Sequence, residues 1–323
     1  MTSTAPQGPD LSVVIPVRNE APAIGELLSE LTRTLTSWGR SFEIIVVDDG
    51  STDESFDILA QLQATDARLR VIRFRRNFGQ TAAFAAGFAH ARGRLIATSD
   101  GDLQNDPRDI PSMVEWIENG YDIVCGWRRK RQDPLSRRLP SAVANRLISA
   151  VTRVHLHDYG CSLKVFRAEV VKPLKLYGEM HRFLPAIASE QGVAIKEVEV
   201  NHRPRKYGES KYGISRTVRV VLDLLTVKFL LSYSTRPLQI FGLIGLGMGL
   251  VGALICGWLA ILRLRELASL SQRMPLLLLG ILLIFTGFQL VTLGLLAELQ
   301  ARAYHESQNK PIYVLREIRE ARD

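Results

Sequence analysis

The chain has 323 residues, with 41 Lys or Arg against 33 Asp or Glu and a net charge of +8, long enough for one large domain with appendages or for two ordinary ones. Its three cysteines, Cys125, Cys161 and Cys256, are odd in number and far apart, which excludes a disulfide framework and favours a reducing compartment. The opening MTSTAPQGPD has no basic region followed by an apolar core, so the first domain is expected to stay in the cytoplasm.

After a flexible start over residues 1–10, apolar runs at 11–17, 42–47, 69–74 and 95–98 are short and rich in Val and Ile. Each is followed by a turn cluster and then a helix-like stretch, as at 21–38 and 81–91. That alternation predicts an α/β domain over residues 11–213, a mainly parallel sheet with helices on both faces. Ligands of such sheets bind beyond the carboxyl ends of the strands. The chemistry is therefore expected in PVRNE (16–20), VDDGSTD (47–53) and SDGDLQNDP (99–107).

In the third cluster Asp100 and Asp102 flank Gly101, with Gln104 and Asp106 close behind. Hard oxygen ligands on a tight loop suit Mg²⁺ or Mn²⁺, which would neutralise a diphosphate; the plain alternative is a solvated acidic turn. The spacing fits no EF-hand, and the chain has no GxxxxGK[ST] phosphate loop. In VDDGSTD, Asp49 and Ser51 either cap the next helix or offer a carboxylate to a base or ribose. The pattern leaves both open.

Further along, the arginines of 128–138 have the composition of a solvated basic face. His155, His157 and Cys161 raise the thought of zinc, but no second Cys or His pair at ligand spacing completes such a site. Between Arg203 and Arg236 eight Lys or Arg stand against Glu209 and Asp223, which implies an anionic partner. Residues 214–236 mix Val218, Leu222 and Phe229 with Arg216, Arg219 and Asp223, the pattern of interfacial helices under lipid headgroups. Nucleic acid as the partner explains neither the acidic loops nor the two long apolar stretches beyond residue 237.

Those stretches, residues 238–262 and 275–297, carry no charge, and at 1.5 Å per residue each outspans a hydrocarbon layer of roughly 30 Å. They are expected to form a transmembrane hairpin that returns a cytoplasmic tail, residues 300–323, to the side of the first domain. Arg263, Arg265 and Arg273 in the link run against the positive-inside tendency; the stronger basic bias before the first span outweighs them. A GxGxxG match at Gly247, Gly249 and Gly252 follows no strand and is not a dinucleotide site. Gly245, Gly249, Ala253 and Gly257 recur every four residues, a small face for packing on the second span or for self-association into a homo-oligomer.

Taken in order, SVVIPVRNE, EIIVVDDGSTD, RNFGQTAAFAAGFAHA, SDGDLQNDP, HDYGCSLKVFR and HRPRKYGESKYG resemble family 2 glycosyltransferases of the polyprenyl-phosphate group, over about residues 11–236. The two-span C-terminus matches one branch of that group. The resemblance implies a GT-A nucleotide-binding sandwich and inverting transfer of a sugar from a UDP- or GDP-linked donor to a polyprenyl phosphate, undecaprenyl or dolichyl, at the cytoplasmic membrane face. It places Pro16, Arg18 and Glu20 along the nucleoside pocket, and Val47 and Asp49 against the base. Asp100, Gly101, Asp102 and Gln104 match the motif that holds the cation and the donor diphosphate, Arg128 an arginine that meets the donor, and Arg205 and Lys211 basic residues that grip phosphates. Asp158 precedes a segment similar to the family's acceptor-side loop, and is expected to orient acceptor or sugar unless it is a turn residue. Arg18 stands where an aromatic is common, and Gly101 where alanine is usual.

A phosphate monoester has a second pKa of about 6, so the acceptor is already a nucleophile and needs little help from a base. The remaining task is to hold two anions together and stabilise the leaving diphosphate. Two other classes share parts of this pattern. A processive polysaccharide synthase uses the same donor domain but carries a QxxRW motif, which none of the four Trp residues here supplies. A non-catalytic membrane scaffold would have no need of Asp100, Asp102, Gln104, Arg205 and Lys211 together.

Overall fold

The computed structural model describes residues 8–129, 145, 148–149, 152, 154–176, 180–204, 206–207, 237–265, 273–307 and 313–320, with backbone alone at 237–240 and 297–307. The chain divides into two compact units, Met1–Val227 with Pro311–Asp323, and Lys228–Lys310. The interfacial helices expected at 214–236 lie outside the described residues.

The first unit alternates strand and helix: β1 Leu11–Val17, α1 Ala21–Trp38, β2 Phe42–Asp48, α2 Ser55–Thr65, β3 Leu69–Phe74, α3 Gln80–His90, β4 Leu95–Thr98, α4 Asp109–Glu118 and β5 Ile123–Trp127. Then come β6 Lys164–Arg167, a 3₁₀ turn Met180–Phe183, α5 Leu184–Ala188, β7 Ile195–Glu199 and, after the long helices, β8 Leu315–Arg319. The eight strands form one sheet in the order β7-β5-β6-β4-β1-β2-β3-β8. Strands β3, β2, β1 and β4 run parallel, whereas β6 and β8 pair antiparallel to their neighbours. The strand order reverses at β1, whose neighbours are β2 and β4, and that opens a crevice beyond their carboxyl ends.

Both faces of the sheet are covered, which is why the central strands read as unbroken apolar runs rather than as alternation. Ile24, Leu27, Leu28, Leu31 and Leu35 line one stripe of α1 and pack on Leu11, Val13 and Ile15 of β1, with Ile110, Met113 and Val114 of α4 on the same face. On the other face Ala82, Ala83 and Phe84 of α3 are buried, with Val14, Ile45 and Ile96. Helix α1 opens with a proline in its first turn and closes on Gly39 at φ 79°, a backbone conformation that costs glycine little.

A polar network lies buried in this layer. The Glu43 carboxylate accepts from Ser12 Oγ at 2.6 Å, from Arg92 N at 2.6 Å and from Arg70 Nη1 at 3.0 Å. Arg70 is 6% exposed and also meets Glu320, just after β8, at 2.9 Å. Removing one partner of a buried pair costs about 3–5 kcal/mol, because the other charge stays out of water. Glu43→Ala is therefore expected to lower the thermal midpoint of the purified protein by several degrees; an unchanged midpoint would remove this network from the fold's stability.

In the second unit α6 (Pro237–Leu264) and α7 (Met274–Ser307) contain stretches, Phe241–Leu264 and Met274–Leu296, long and apolar enough to cross a membrane. Leu246, Leu250, Leu254, Phe285 and Phe288 are more than half exposed, a continuous apolar surface that lipid accepts and water does not. The protein is a membrane protein. The two helices pack on each other through glycine. A Cβ on Gly245 would meet the Gly287 carbonyl at 2.5 Å, and one on Gly252 the Gly280 carbonyl at 2.5 Å. Gly249 shares this seam, but Ala253 and Gly257 do not line it, against the four-residue face expected from the sequence. Steps of four residues advance about 400°, so such a row drifts round the helix, while Gly245, Gly252 and Leu259, seven apart, stay on one side.

Candidate active site

Three strand-end loops form the crevice, and each holds the next. After β1, Asn19 sits at φ 55°, a position Asn tolerates, and its Oδ1 accepts from Thr52 N at 2.8 Å. Asn19 N and Glu20 N donate to Ser51 Oγ and Ser55 Oγ at 3.0 and 2.9 Å. Gly50, at φ 67°, lets the loop after β3 approach, since a Cβ there would lie 2.6 Å from the Arg76 carbonyl carbon. Pro16 and Val47 stand side by side in the β1–β2 register.

Asp49 and Ser51 do not cap α2, which has no side-chain cap. Asp49 instead accepts from Phe78 N at 2.6 Å and Gly79 N at 2.9 Å, fixing the loop that leads into α3. Burial pushes its pKa up, while those two amides and the nearby Arg18 pull it down; burial prevails. Arg18 is exposed at the crevice mouth.

Beyond β4, Asp100 Oδ1 accepts from Gln80 Nε2 of α3 at 2.9 Å, and Asp102 Oδ1 from Gln104 N at 3.2 Å. Leu103 between them has φ 62° and is buried, a costly backbone state of the kind that concentrates at functional loops. A Cβ on Gly101 would touch Val17 Cγ2 at 3.3 Å, so alanine fits there with a small shift. Gln104 Nε2 donates to the Arg203 carbonyl at 3.3 Å, which leaves its Oε1 as the ligand-type atom. Among the described residues no group of three or more His, Cys, Asp or Glu is arranged for a metal. Two carboxylates and an amide oxygen still suit Mg²⁺ or Mn²⁺, since Mg²⁺ usually takes one or two protein carboxylates and fills the rest with water and substrate phosphate.

Asp106 anchors this loop. Burial raises its pKa, but hydrogen bonds from Arg108 and Arg203 outweigh that and hold it at about 2. Arg203 also pairs with Glu30 of α1 at 2.7 Å, and Lys206 with Glu26 at 2.7 Å. Two cations of the basic stretch are thus neutralised within the domain, not turned to an outside anion.

Arg128 and Asp158 come together. Arg128 Nε and Nη2 donate to the two Asp158 oxygens at 2.7 and 2.9 Å, a bidentate pair that fixes the guanidinium plane. Asp158 is 2% exposed. Burial works against the charged form of Arg128, yet the bond and charge of Asp158 raise its pKa overall. A Cβ on Gly160 would lie 3.2 Å from Arg128 Nη2. Glu197 of β7 holds the segment from below, accepting from Asp158 N at 2.9 Å, His157 N at 2.8 Å and His157 Nδ1 at 2.7 Å. His157 is also stacked on Trp127 at 4.3 Å. Burial pushes the Cys161 thiol up to about 11, leaving it neutral at physiological pH.

Arg205 and Lys211 lie outside the described residues. Other members of the site escape a reading of the sequence. Gln80, which steers Asp100, stands in the segment RNFGQTAAFAAGFAHA with nothing to mark it out. Thr81 beside it meets His181 Nδ1 at 2.8 Å. Asp100, Gln80, Lys164, His181 and Arg182 all line one pocket, partly open to solvent.

The sheet and its switch point have the architecture of a GT-A domain. Residues 12–174 match the family model Glycosyl transferase family 2. The chain is 45% identical to a dodecaprenyl-phosphate galacturonate synthase of Rhizobium johnstonii, over 98% of this chain and 95% of that relative. It is 40% identical to an undecaprenyl-phosphate 4-deoxy-4-formamido-L-arabinose transferase of Shewanella sediminis, over 95% of this chain and 92% of the relative. The protein belongs to glycosyltransferase family 2 and is an enzyme of that family. Among solved structures, glucosyl-3-phosphoglycerate synthase of Mycobacterium tuberculosis in complex with Mn²⁺ and uridine-diphosphate-glucose superposes with a TM-score of 0.54 at 20% identity, over 68% of this chain and 79% of the other. That likeness is one of fold.

Proposed function

We propose that the protein transfers a sugar, with inversion, from a nucleotide diphosphate donor to a polyprenyl phosphate. The observation that carries this reading is the extent of the likeness to polyprenyl-phosphate sugar transferases. It runs through the catalytic domain and both apolar helices, over 98% of the chain in the Rhizobium case, so the lipid-handling half is shared as well as the donor fold.

In this reading Pro16, Arg18, Glu20, Val47 and Asp49 line the nucleoside. Asp100, Asp102 and the Gln104 Oε1 hold a divalent cation, which when bound supplies Lewis-acid stabilisation of the leaving diphosphate. The solved relative's complex with Mn²⁺ supports a metal of this class. Arg128, its plane set by Asp158, faces the same anions. Asp158 serves as an orienter and not as a base, which suits an acceptor already ionised at neutral pH. Arg205 and Lys211 complete the phosphate-gripping set.

Strand β8 also bears on sidedness. It follows both spans in the chain, yet pairs with β3 in the sheet that precedes them. In this reading the chain crosses the bilayer an even number of times between leaving and rejoining that sheet, which supports both ends on the same, cytoplasmic, face. Incubating the purified protein with UDP- and GDP-sugars and undecaprenyl or dolichyl phosphate, with and without EDTA, tests the whole reading. A lipid-phosphate-linked sugar that disappears with EDTA and returns with Mg²⁺ or Mn²⁺ is expected. Transfer only to a growing glycan would overturn the acceptor, and full activity in EDTA the metal.

A further inference from the structure

Lys164 opens β6 and is 3% exposed. Its ammonium donates to the Cys161 carbonyl, and among the described residues no carboxylate pairs with it. Among the described residues that neutral carbonyl is the one hydrogen-bond partner of the ammonium, and a buried ammonium so placed is expensive to keep in a low-dielectric interior. A ligand that brings negative charge would offset that cost.

The place for that ligand is visible. Lys164 lines the same pocket as Asp100, and His181 and Arg182 stand in the wall with it. Asp100 is the one carboxylate among the described wall residues, and it is bonded to Gln80 rather than to Lys164. Thr98 and Ser162 also line it. This is a small polar cavity with an excess of positive charge, opening next to the loop that holds the donor diphosphate. In the proposed reading the transferred sugar lies beside the donor diphosphate, and so beside this pocket.

We infer that this pocket receives an anionic oxygen group of a bound substrate, with Lys164 as its counter-ion, and that the group is the carboxylate of a uronic acid sugar. The inference rests on the proposed transferase function and narrows its donor. The other source of the same chemistry is the phosphate of the lipid acceptor.

The test compares UDP-galacturonate with UDP-galactose, and UDP-glucuronate with UDP-glucose, each pair differing only in carboxylate against hydroxymethyl. Initial rates are measured with full-length wild type, Lys164→Met, Lys164→Gln and Lys164→Arg, with melting temperatures recorded for each. Wild type is expected to favour one acidic donor over its neutral partner at least tenfold in kcat/KM. Lys164→Met and Lys164→Gln should bring that ratio near one through a higher donor KM, and Lys164→Arg should restore part of it. If instead the KM for polyprenyl phosphate rises tenfold with every donor, the anionic-group proposal holds and its source is the lipid phosphate.

Equal use of acidic and neutral donors by wild type, with both KM values unchanged in a folded Lys164→Met, overturns the proposal. So does a uniform fall in kcat, or in melting temperature alone, which marks Lys164 as structural. Should no variant fold, wild type decides by itself, and a donor preference below threefold sinks the idea. Failure of the underlying reading looks different: wild type then glycosylates no polyprenyl phosphate from any donor.

Discussion

Asp102→Ala is expected to lower transfer about 10³-fold, with the donor still bound through its nucleoside. The Asp102 side chain sits on a loop whose backbone is already committed, with Leu103 at φ 62° and Asp106 locked to Arg108 and Arg203. The substitution therefore removes a ligand without freeing the loop to find another. Stabilising charge on a leaving group is commonly the largest single contribution to catalysis, and loss of one well-placed group costs about 10²–10³-fold in rate; loss of a cation as well places the effect at the upper end. The measurement is single-turnover rate at saturating donor and metal, with UDP or GDP affinity followed separately. A variant with ordinary turnover would show that Asp102 is only a turn residue.

Asp158→Ala should be nearly as damaging, and for a different reason. Arg128 is mostly buried, and Asp158 supplies both of its in-plane acceptors. Without that carboxylate the guanidinium is left unpaired and unaimed, at about 3–5 kcal/mol in stability and about 10²-fold in rate. Asp158→Asn keeps an acceptor but not the charge, and is expected to fall between Asp158→Ala and wild type. Arg128→Lys replaces a planar fork by a point charge and should resemble Asp158→Ala in rate while losing less stability. Parallel rate and melting measurements on the three variants check the order. If Asp158→Ala melts like wild type and turns over normally, the pair plays neither part.

The legible parts of this fold are those written locally. Strands β1 to β4 stand out because they are buried on both faces and so are apolar without interruption. Helix α1 has the expected bounds because Pro22 and Gly39 punctuate it. Strands β7 and β8 do not declare themselves, since IKEVE and LREIR carry charges on sheet edges and give no apolar run. The segment expected only as a cytoplasmic tail over residues 300–323 therefore supplies an edge of the sheet.

The site divides in the same way. Asp100, Asp102 and Gln104 share one short loop, and their spacing speaks for itself. Glu197 is 39 positions from Asp158, and Gln80 is 20 from Asp100, so only the folded sheet brings them together. Arg203 and Lys206 look like part of a surface charge until α1 presents Glu30 and Glu26 to them. Lys164 lies inside a recognisable segment, but only its burial sets it apart from any other lysine.

Pairing of β3 with residues 315–319 also dictates the timetable of biosynthesis. The ribosome delivers those residues only after both hydrophobic helices have been made. Until then one border of the sheet offers open amides and carbonyls, a sticky margin that other chains can join. The enzyme is thus finished only once its anchor is in place, and a transcript cut short before that stage yields a domain with an unguarded side.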